Sequence, residues 1–390
     1  MATENDVNRR TVLGVTSLGN FAQIGARFVL SPLIPLVVLE FDTSKSSIGL
    51  ALTGMWGVYA LGQFPSGVLA DRYGERRLIV TGLVGTAAGS VLISLSPAFP
   101  LFGLFAMLLG LATGLFFSPA ASLLTRLFTD DGKALGVLTA ASGVAGVIYP
   151  ACSGLIGDTV GWRYAVGASG LVALAVALAT VQWLPQSDPG SGSATLFQTA
   201  RIRGLLTQPA VLYATGLAVV FGFAFQSITS FFPTFLQEYH VMDTGAAGVT
   251  FGVLFALSSL AQPVVGSASD VVSRDVALSC TALTTGSGLT ALLTIDGLVG
   301  VALGTVLLGL GMSWPGVVQA KLMDQLPSDE RGSGFGFLRT VYMFFAASGS
   351  VVVGTLADAG GWVTGYGAVI ALLAAALVAM SGAKVVGSRR

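Results

Sequence analysis

The chain has 390 residues, of which 53% are hydrophobic and only 10% are charged, whereas an ordinary soluble domain has roughly 25% charged residues. Such a composition cannot supply a water-facing surface, so it excludes a soluble enzyme and predicts a protein that is largely covered by lipid. The 19 basic and 19 acidic residues cancel, which removes any general attraction to nucleic acid.

Twelve apolar stretches reach the roughly 20 residues that a helix needs to cross the hydrocarbon core of a bilayer. They are predicted near 11–39, 47–70, 78–97, 101–124, 134–157, 163–184, 209–236, 245–268, 276–295, 297–320, 333–356 and 362–384. Two long stretches with almost no charge are each divided into two helices, at the turns Pro97–Pro100 and Asp296–Gly297. The sequence therefore predicts an all-α polytopic membrane protein with twelve transmembrane helices.

A polar segment divides these helices into two sets of six. Residues 185–208 are rich in Gly, Ser and Pro at first and basic towards the end, which is typical of a linker. The predicted units are residues 1–184, an N-terminal bundle, and residues 209–390, a C-terminal bundle. Most Lys and Arg residues lie in or beside alternate loops, and such loops face the cytoplasm. We therefore expect a multi-pass protein of the cell membrane with both termini and the linker in the cytoplasm.

The two halves share landmarks at an offset of about 200 residues, which is typical of a duplicated unit. The corresponding positions are Pro35 and Pro233, Glu40 and Glu238, Gln63 and Gln262, Gly67 and Gly266, Asp71 and Asp270, and the pairs Gly161-Trp162 and Gly361-Trp362. Two similar bundles can rock against each other around a site at their interface. This repeat predicts transport by alternating access.

Between the second and third predicted spans the chain reads Gly67-Val-Leu-Ala-Asp71-Arg72-Tyr-Gly74-Glu75-Arg76-Arg77, which resembles the loop signature of the major facilitator superfamily. The resemblance implies two pseudo-symmetric six-helix bundles, a monomer and secondary transport. In that family the loop is a gating latch between the halves, which implies this role for Gly67, Asp71, Arg72, Gly74, Arg76 and Arg77. Arg339 is the expected partner of Asp71. Arg76 and Arg77 are equally explained as ordinary cytoplasmic charges.

Arg27 lies deep inside the first predicted span, where an ionisable side chain is costly and marks a functional site. Asn20, Gln23, Arg27 and Ser31 are spaced by three, four and four residues, so they share one helical face. We expect this face to line the central cavity. The other predicted cavity residues are Gln226, Ser230, Tyr149, Trp314, Gln319 and Tyr342, with Trp56 and Tyr59 as further candidates.

None of the acidic residues lies in the core of a predicted span, so Arg27 has no evident buried counter-ion. We therefore expect the small-molecule substrate to be an organic or inorganic anion bound at this guanidinium. The alternative for Arg27 itself is a structural role, held by backbone carbonyls and by Asn20 or Gln23. Uniport, anion exchange and ion symport remain open.

The rival function is a proton-coupled exporter of hydrophobic compounds, which an aromatic cavity with a buried acid would favour. We expect no cofactor and no metal site. Cys152 and Cys280 fall in apolar stretches, and His240 lies in an outer loop. The chain also lacks a nucleophile and base pair at membrane depth and a phosphate-binding loop, so we expect no enzymatic activity.

Overall fold

The computed structural model describes residues 9–186, 204, 207–327 and 331–387, and every regular element in these residues is helical. The helices of the first half are Arg9–Phe28, Ile34–Phe41, Lys45–Tyr73, Glu75–Ser94, Phe99–Gly114, Phe117–Leu127, Asp131–Thr159 and Trp162–Trp183. Those of the second half are Pro209–Tyr239, Thr244–Val271, Arg274–Thr294, Gly297–Gly311, Pro315–Asp324, Arg331–Ala346 and Ser348–Gly387. The predicted linker lies mostly outside the described residues.

Ten helical stretches in the described residues are long and apolar enough to cross a membrane. The last of them, Gly334–Gly382, has 49 residues, about twice the length that one crossing needs, and the non-helical Gly361 interrupts it. The 29-residue helix Lys45–Tyr73 is long enough to be a further span. Together these helices give the twelve predicted spans and confirm the fold class. We call the end where the first span reaches Phe41 the outer end, and the opposite end the inner end.

Several spans are broken near their middle, although the sequence analysis treated each as one continuous helix. The first span passes through a short 3-10 turn, Ser31–Leu33, with Pro32 in its first positions. The tenth span breaks between Gly311 and Pro315, and the fourth breaks between Gly114 and Phe117. Proline can begin a helix because the first helical N–H groups have no partner within the helix. The break in the tenth span contributes Trp314 and Pro315 to the wall of the cavity described below.

Corresponding residues of the two halves have the same role. Gly161 and Gly361 have φ angles of 116° and 76°, values that an L side chain rarely adopts. Each precedes a tryptophan whose indole Nε1 donates to the corresponding glutamate: Trp162 to Glu40, and Trp362 to Glu238 over 3.0 Å. In each half, the Gly-Trp pair therefore lies between the fifth and sixth helices of that half. The tryptophan links the sixth helix to the outer end of the first helix of the same half.

The two bundles lie in contact at the outer end. A Cβ atom added to Gly354 would lie 2.5 Å from the backbone oxygen of Lys45 in the other bundle, and one added to Gly248 would lie 2.3 Å from that of Pro150. Ser31 Oγ donates to Thr229 O over 2.7 Å across the same interface. The second span thus packs against the eleventh, and the fifth against the eighth, with glycines allowing backbone contact. This arrangement closes the outer end of the molecule.

Candidate substrate-binding cavity

Arg27 is buried near the middle of the first span, with 2% of the residue exposed. It lies in the last turn of the helix Arg9–Phe28, just before the 3-10 turn. Its Nη2 donates to Gln23 Oε1 over 3.2 Å, whereas its Nε and Nη1 are buried without a hydrogen-bond partner. The guanidinium therefore has unsatisfied hydrogen-bond donors inside the protein.

A chain of amide hydrogen bonds orients Gln23. Its Nε2 donates to Asn20 Oδ1 over 2.8 Å, and Asn20 Nδ2 donates over 2.7 Å to both Leu138 O and Ser142 Oγ of the fifth span. Since both amides are used in this way, Gln23 presents its carbonyl oxygen, an acceptor, to Arg27. Asn20 and Gln23 thus contact each other and Arg27 along one helical face and position the arginine, while the binding of substrate by this face stays a prediction.

Two aromatic rings of the second span flank the guanidinium. Its carbon lies 3.9 Å from the ring centre of Tyr59 and 4.6 Å from that of Trp56, which is within the range of a cation–π contact. From the sequence alone these rings are only further candidates for the cavity. Their spacing of three residues, which puts them on one helical face, is the signal that could have paired them with Arg27.

No carboxylate pairs with Arg27 among the residues that the structure describes. Its polar contact is with a neutral amide, and its other close neighbours are rings. A buried charge of this kind is unfavourable unless something of opposite sign compensates it. The arrangement suits the binding of an anion.

A cavity of about 160 Å³ lies between the two bundles. Trp56, which contacts Arg27, forms part of its wall on the N-terminal side, whereas Arg27 itself does not border it. Its other walls include four residues that the sequence analysis predicted, namely Gln226, Trp314, Gln319 and Tyr342, together with Arg339 and Phe225. The structure thus brings predicted residues of the seventh, tenth and eleventh spans together, although substrate binding by them stays a prediction.

Three other predicted cavity residues make packing contacts instead. Ser31 donates to Thr229 O at the outer closure, and Ser230 Oγ lies 2.7 Å from Ser350 Oγ within the C-terminal bundle. The ring of Tyr149 packs so closely on Gly25 that an added Cβ would lie 2.0 Å from it. These side chains hold helices together in this structure, and their role in substrate binding stays a prediction.

At the inner end, the loop between the second and third spans turns at Gly74, whose φ is 88°. Asp71 and Arg72 are exposed. Arg76 donates to Val181 O of the sixth span, and Glu75, one residue before it, pairs with Arg126 over 3.1 Å. The latch role of this loop stays a prediction.

Arg339 does not pair with Asp71 in this structure. Its guanidinium carbon lies 5.2 Å from the ring centre of Phe117 in the fourth span, and it lines the central cavity. Its position near the inner start of the eleventh span is what suggests a latch role in the sequence. Its spacing from Tyr342 and Ala346, which share a helical face with it, was the signal for the cavity.

The remaining chemically notable residues lie outside the cavity. His240 Nε2 lies 3.0 Å from Leu292 O beyond the seventh span. Cys152 and Cys280 are exposed free cysteines. No cluster of His, Cys, Asp and Glu that could hold a metal ion occurs in the described ranges.

Comparison with known proteins gives the same fold. The model of the Major Facilitator Superfamily matches residues 16–259 and 242–386. Among solved structures, a bacterial homologue of the human lysosomal transporter Spinster, in an inward-facing and unoccupied conformation, has a TM-score of 0.81 and 16% identity, over 98% of this chain and 95% of that one. The nucleoside transporter NupG has a TM-score of 0.83 and 13% identity, over 96% of this chain and 99% of the other.

Similar sequences are matched over part of their length. A probable hexose phosphate transport protein of Chlamydia muridarum (strain MoPn / Nigg) is 27% identical over 159 residues, which are 40% of this chain and 35% of that protein. A probable sugar efflux transporter of Helicobacter pylori (strain ATCC 700392 / 26695) is 28% identical over 200 residues, 51% of this chain and 50% of the relative. The matches thus span about a third to a half of these relatives.

Proposed function

Since this chain belongs to the Major Facilitator Superfamily, whose members are secondary transporters, we propose that it carries a small organic or inorganic anion by alternating access and binds it at Arg27. The observation that supports this substrate class is the buried guanidinium whose Nε and Nη1 have no partner. A carboxylate or phosphate oxygen would accept from these donors and neutralise the charge. The name of the Chlamydia muridarum relative, a probable hexose phosphate transport protein, is consistent with an anionic substrate.

We place the protein in the cell membrane with its inner end towards the cytoplasm, as a monomer. The basic residues support this orientation, because Arg72, Arg76, Arg77 and Arg126 all lie at the inner end, and basic loops face the cytoplasm. An even number of spans puts both chain termini on the same side of the membrane, so both would be cytoplasmic. The linker would then be cytoplasmic.

The experiment compares Arg27→Gln with the parent in proteoliposomes. A panel of carboxylates, phosphate esters and nitrate is first tested by thermal shift, and the anion that stabilises the parent is then used in a counterflow assay. We expect Arg27→Gln to abolish both stabilisation and counterflow. Lys133→Gln removes the same charge from a side chain that is 85% exposed and should retain both. If Arg27→Gln carries the anion as well as the parent does, anion binding at Arg27 is wrong.

The second candidate is a proton-coupled exporter of hydrophobic compounds, which the aromatic walls Trp56, Phe225 and Trp314 favour. Against it, no acidic residue lines this cavity among the described residues. Export that collapses with the proton gradient and survives Arg27→Gln would support this candidate over the first.

A further inference from the structure

Arg339 brings a second positive charge to the cavity, and it belongs to the opposite bundle from Arg27. It extends from the eleventh span to the Phe117 ring of the fourth and lines the same cavity as Trp56, which flanks Arg27. Its Nε is buried without a hydrogen-bond partner. Within the described part of the chain no carboxylate pairs with Arg339.

The two arginines lie near each other, because Trp56 touches both Arg27 and the cavity that Arg339 lines. The ring centre of Trp56 lies 4.6 Å from the Arg27 guanidinium carbon, and Trp56 and Arg339 line the same cavity. Like charges repel more strongly in a cavity of low dielectric than in water, so holding both there without a counter-charge is unfavourable. Among the described residues neither arginine has its own carboxylate. Arg339 lines the cavity, and Arg27 contacts Trp56, which forms part of the wall of the same cavity.

We infer that Arg27 and Arg339 form one binding site for a dianion, with the charge of a phosphate monoester or of a short dicarboxylate. This inference rests on the proposed anion transport and specifies the charge of the substrate. A monoanion neutralises one guanidinium and leaves the other unpaired, whereas a dianion neutralises both. A phosphate monoester carries close to two negative charges above a pH of about 6, and a dicarboxylate carries one at each end.

The position of the pair also gives it a specificity role in the transport cycle. Arg27 moves with the N-terminal bundle and Arg339 with the C-terminal bundle, so a ligand that contacts both connects the halves across the cavity. Gln226, Gln319 and Tyr342 line the same space and supply donors and acceptors for the uncharged part of the ligand. A monoanion of the same size would form a charge-neutralising contact with only one of the two arginines, and therefore with only one bundle.

The test uses pairs of ligands that differ in charge and hardly in size, measured by calorimetry on the purified full chain at pH 7.5. The pairs are methyl phosphate with dimethyl phosphate, and succinate with monomethyl succinate. We expect the dianion of at least one pair to bind the parent ~10-fold more tightly than its monoanion. The pair that shows the preference identifies the phosphate or the dicarboxylate as the substrate chemistry.

Two variants separate this inference from the proposed function. Arg339→Gln should bring the ratio of the two affinities close to one by weakening the dianion much more than the monoanion, whereas Arg27→Gln should abolish binding of both ligands. Arg339→Lys retains the charge, so it should retain a preference for the dianion and shows that the position tolerates substitution.

The outcomes are distinguishable. Equal affinities for dianion and monoanion in the parent overturn the dianion site, even if Arg339→Gln fails to fold. An Arg339→Gln variant that folds and retains the preference for the dianion also overturns it, and if Arg27→Gln still abolishes binding, the proposed anion function stands. Anion binding that survives Arg27→Gln refutes the proposed function and the dianion site together.

Discussion

Among the residues that the structure describes, neutral groups alone hold the side chain of Arg27 in place. Tyr59 and Trp56 stack against the guanidinium, and Gln23 accepts one hydrogen bond from it. Cation–π contacts contribute about 0.5–2 kcal/mol each, the larger values where water is absent. These contacts offset part of the cost of burying the charge and orient it without neutralising it. The arginine thus stays available to a ligand of opposite charge.

Asn20 determines which atom of Gln23 faces Arg27, so we expect Asn20→Ala to weaken anion binding. Without Asn20 Oδ1, the amide of Gln23 loses its acceptor and can rotate, which turns its NH₂ group towards the guanidinium. The expected loss is about 1 kcal/mol, or roughly five- to tenfold in Kd. Titration of the purified variant with the anion identified above measures it.

Ser142→Ala is the matched control for this prediction. It removes one acceptor of Asn20 Nδ2 and leaves the other, Leu138 O. Its affinity for the anion should stay within about twofold of the parent, because a net hydrogen bond of this kind is weak. An Asn20→Ala protein that folds and binds as tightly as Ser142→Ala would refute the orienting role.

At the scale of whole helices, the two outer glutamates differ in where their cationic partners come from. Arg163 pairs with Glu40 over 2.7 Å within the N-terminal bundle. The position that corresponds to Arg163 in the second half is Val363, and Glu238 pairs instead with Lys45 of the other bundle over 3.1 Å. The beginning of the second span is also capped by Asp358, which accepts from the backbone N–H of Ser46 over 2.7 Å. The outer ion pair of the N-terminal bundle therefore lies within that bundle. The outer acidic residues of the C-terminal bundle instead bind the beginning of the second span and help to close the interface.

Lys45→Gln should make the outer end open more readily. The pair is partly exposed, so it contributes at most about 1 kcal/mol, and we expect up to about fivefold faster labelling of a Ser31→Cys reporter in whole cells. The label is a membrane-impermeant thiol reagent, applied to a protein whose two native cysteines are replaced by serine. High salt should reduce the difference between Lys45→Gln and the parent, since it screens the pair.

Arg163→Gln provides the comparison for this prediction. It breaks the corresponding pair with Glu40, which lies within one bundle, so the reporter should be labelled at the parent rate. The two variants have the same change of charge at the same end of the protein. Equal acceleration in both would mean that the outer end responds to charge in general and that the contact across the interface has no special role.

For the molecule as a whole, close backbone contact at the outer end defines the state that the structure shows. Gly354 and Gly248 lie against backbone oxygens of the other bundle, so the halves can approach only because these positions have no side chain. At the inner end, by contrast, Asp71 of the predicted latch is exposed and unpaired among the described residues. The cavity lies between the two ends, next to Arg27.

Gly354→Leu should prevent outer closure and stop transport. The leucine side chain would collide with the backbone oxygen of Lys45. This oxygen cannot move unless the second span shifts as well. We expect counterflow to fall to background and the Ser31→Cys reporter to become permanently accessible from outside. Gly367→Leu adds the same side chain where nothing lies within 4 Å of the new Cβ and should transport normally. Normal counterflow in Gly354→Leu would contradict the assigned closure.

The sequence predicted the twelve spans, the repeat and the polar face of Arg27, because hydrophobic length and helical spacing depend on local residues alone. It did not predict the mid-span breaks at Ser31–Leu33 and Met312–Trp314, since a proline inside a long apolar stretch is compatible with a kink or with a break. It also placed Arg339 beside Asp71, whereas in this structure Arg339 lines the cavity. Position along a span does not reveal which neighbour a long side chain reaches.

The absence of fixed carboxylates beside Arg27 and Arg339, within the described residues, has an electrical consequence. Guanidinium groups remain with the protein throughout the proposed cycle, so the unloaded protein is positively charged inside the membrane, whereas the proposed dianion would make the loaded protein nearly neutral. A voltage across the bilayer acts with about 2.3 kcal/mol per charge per 100 mV on a charge that crosses the whole field. The membrane potential should therefore change the return rate of the empty carrier far more than the crossing of the loaded one.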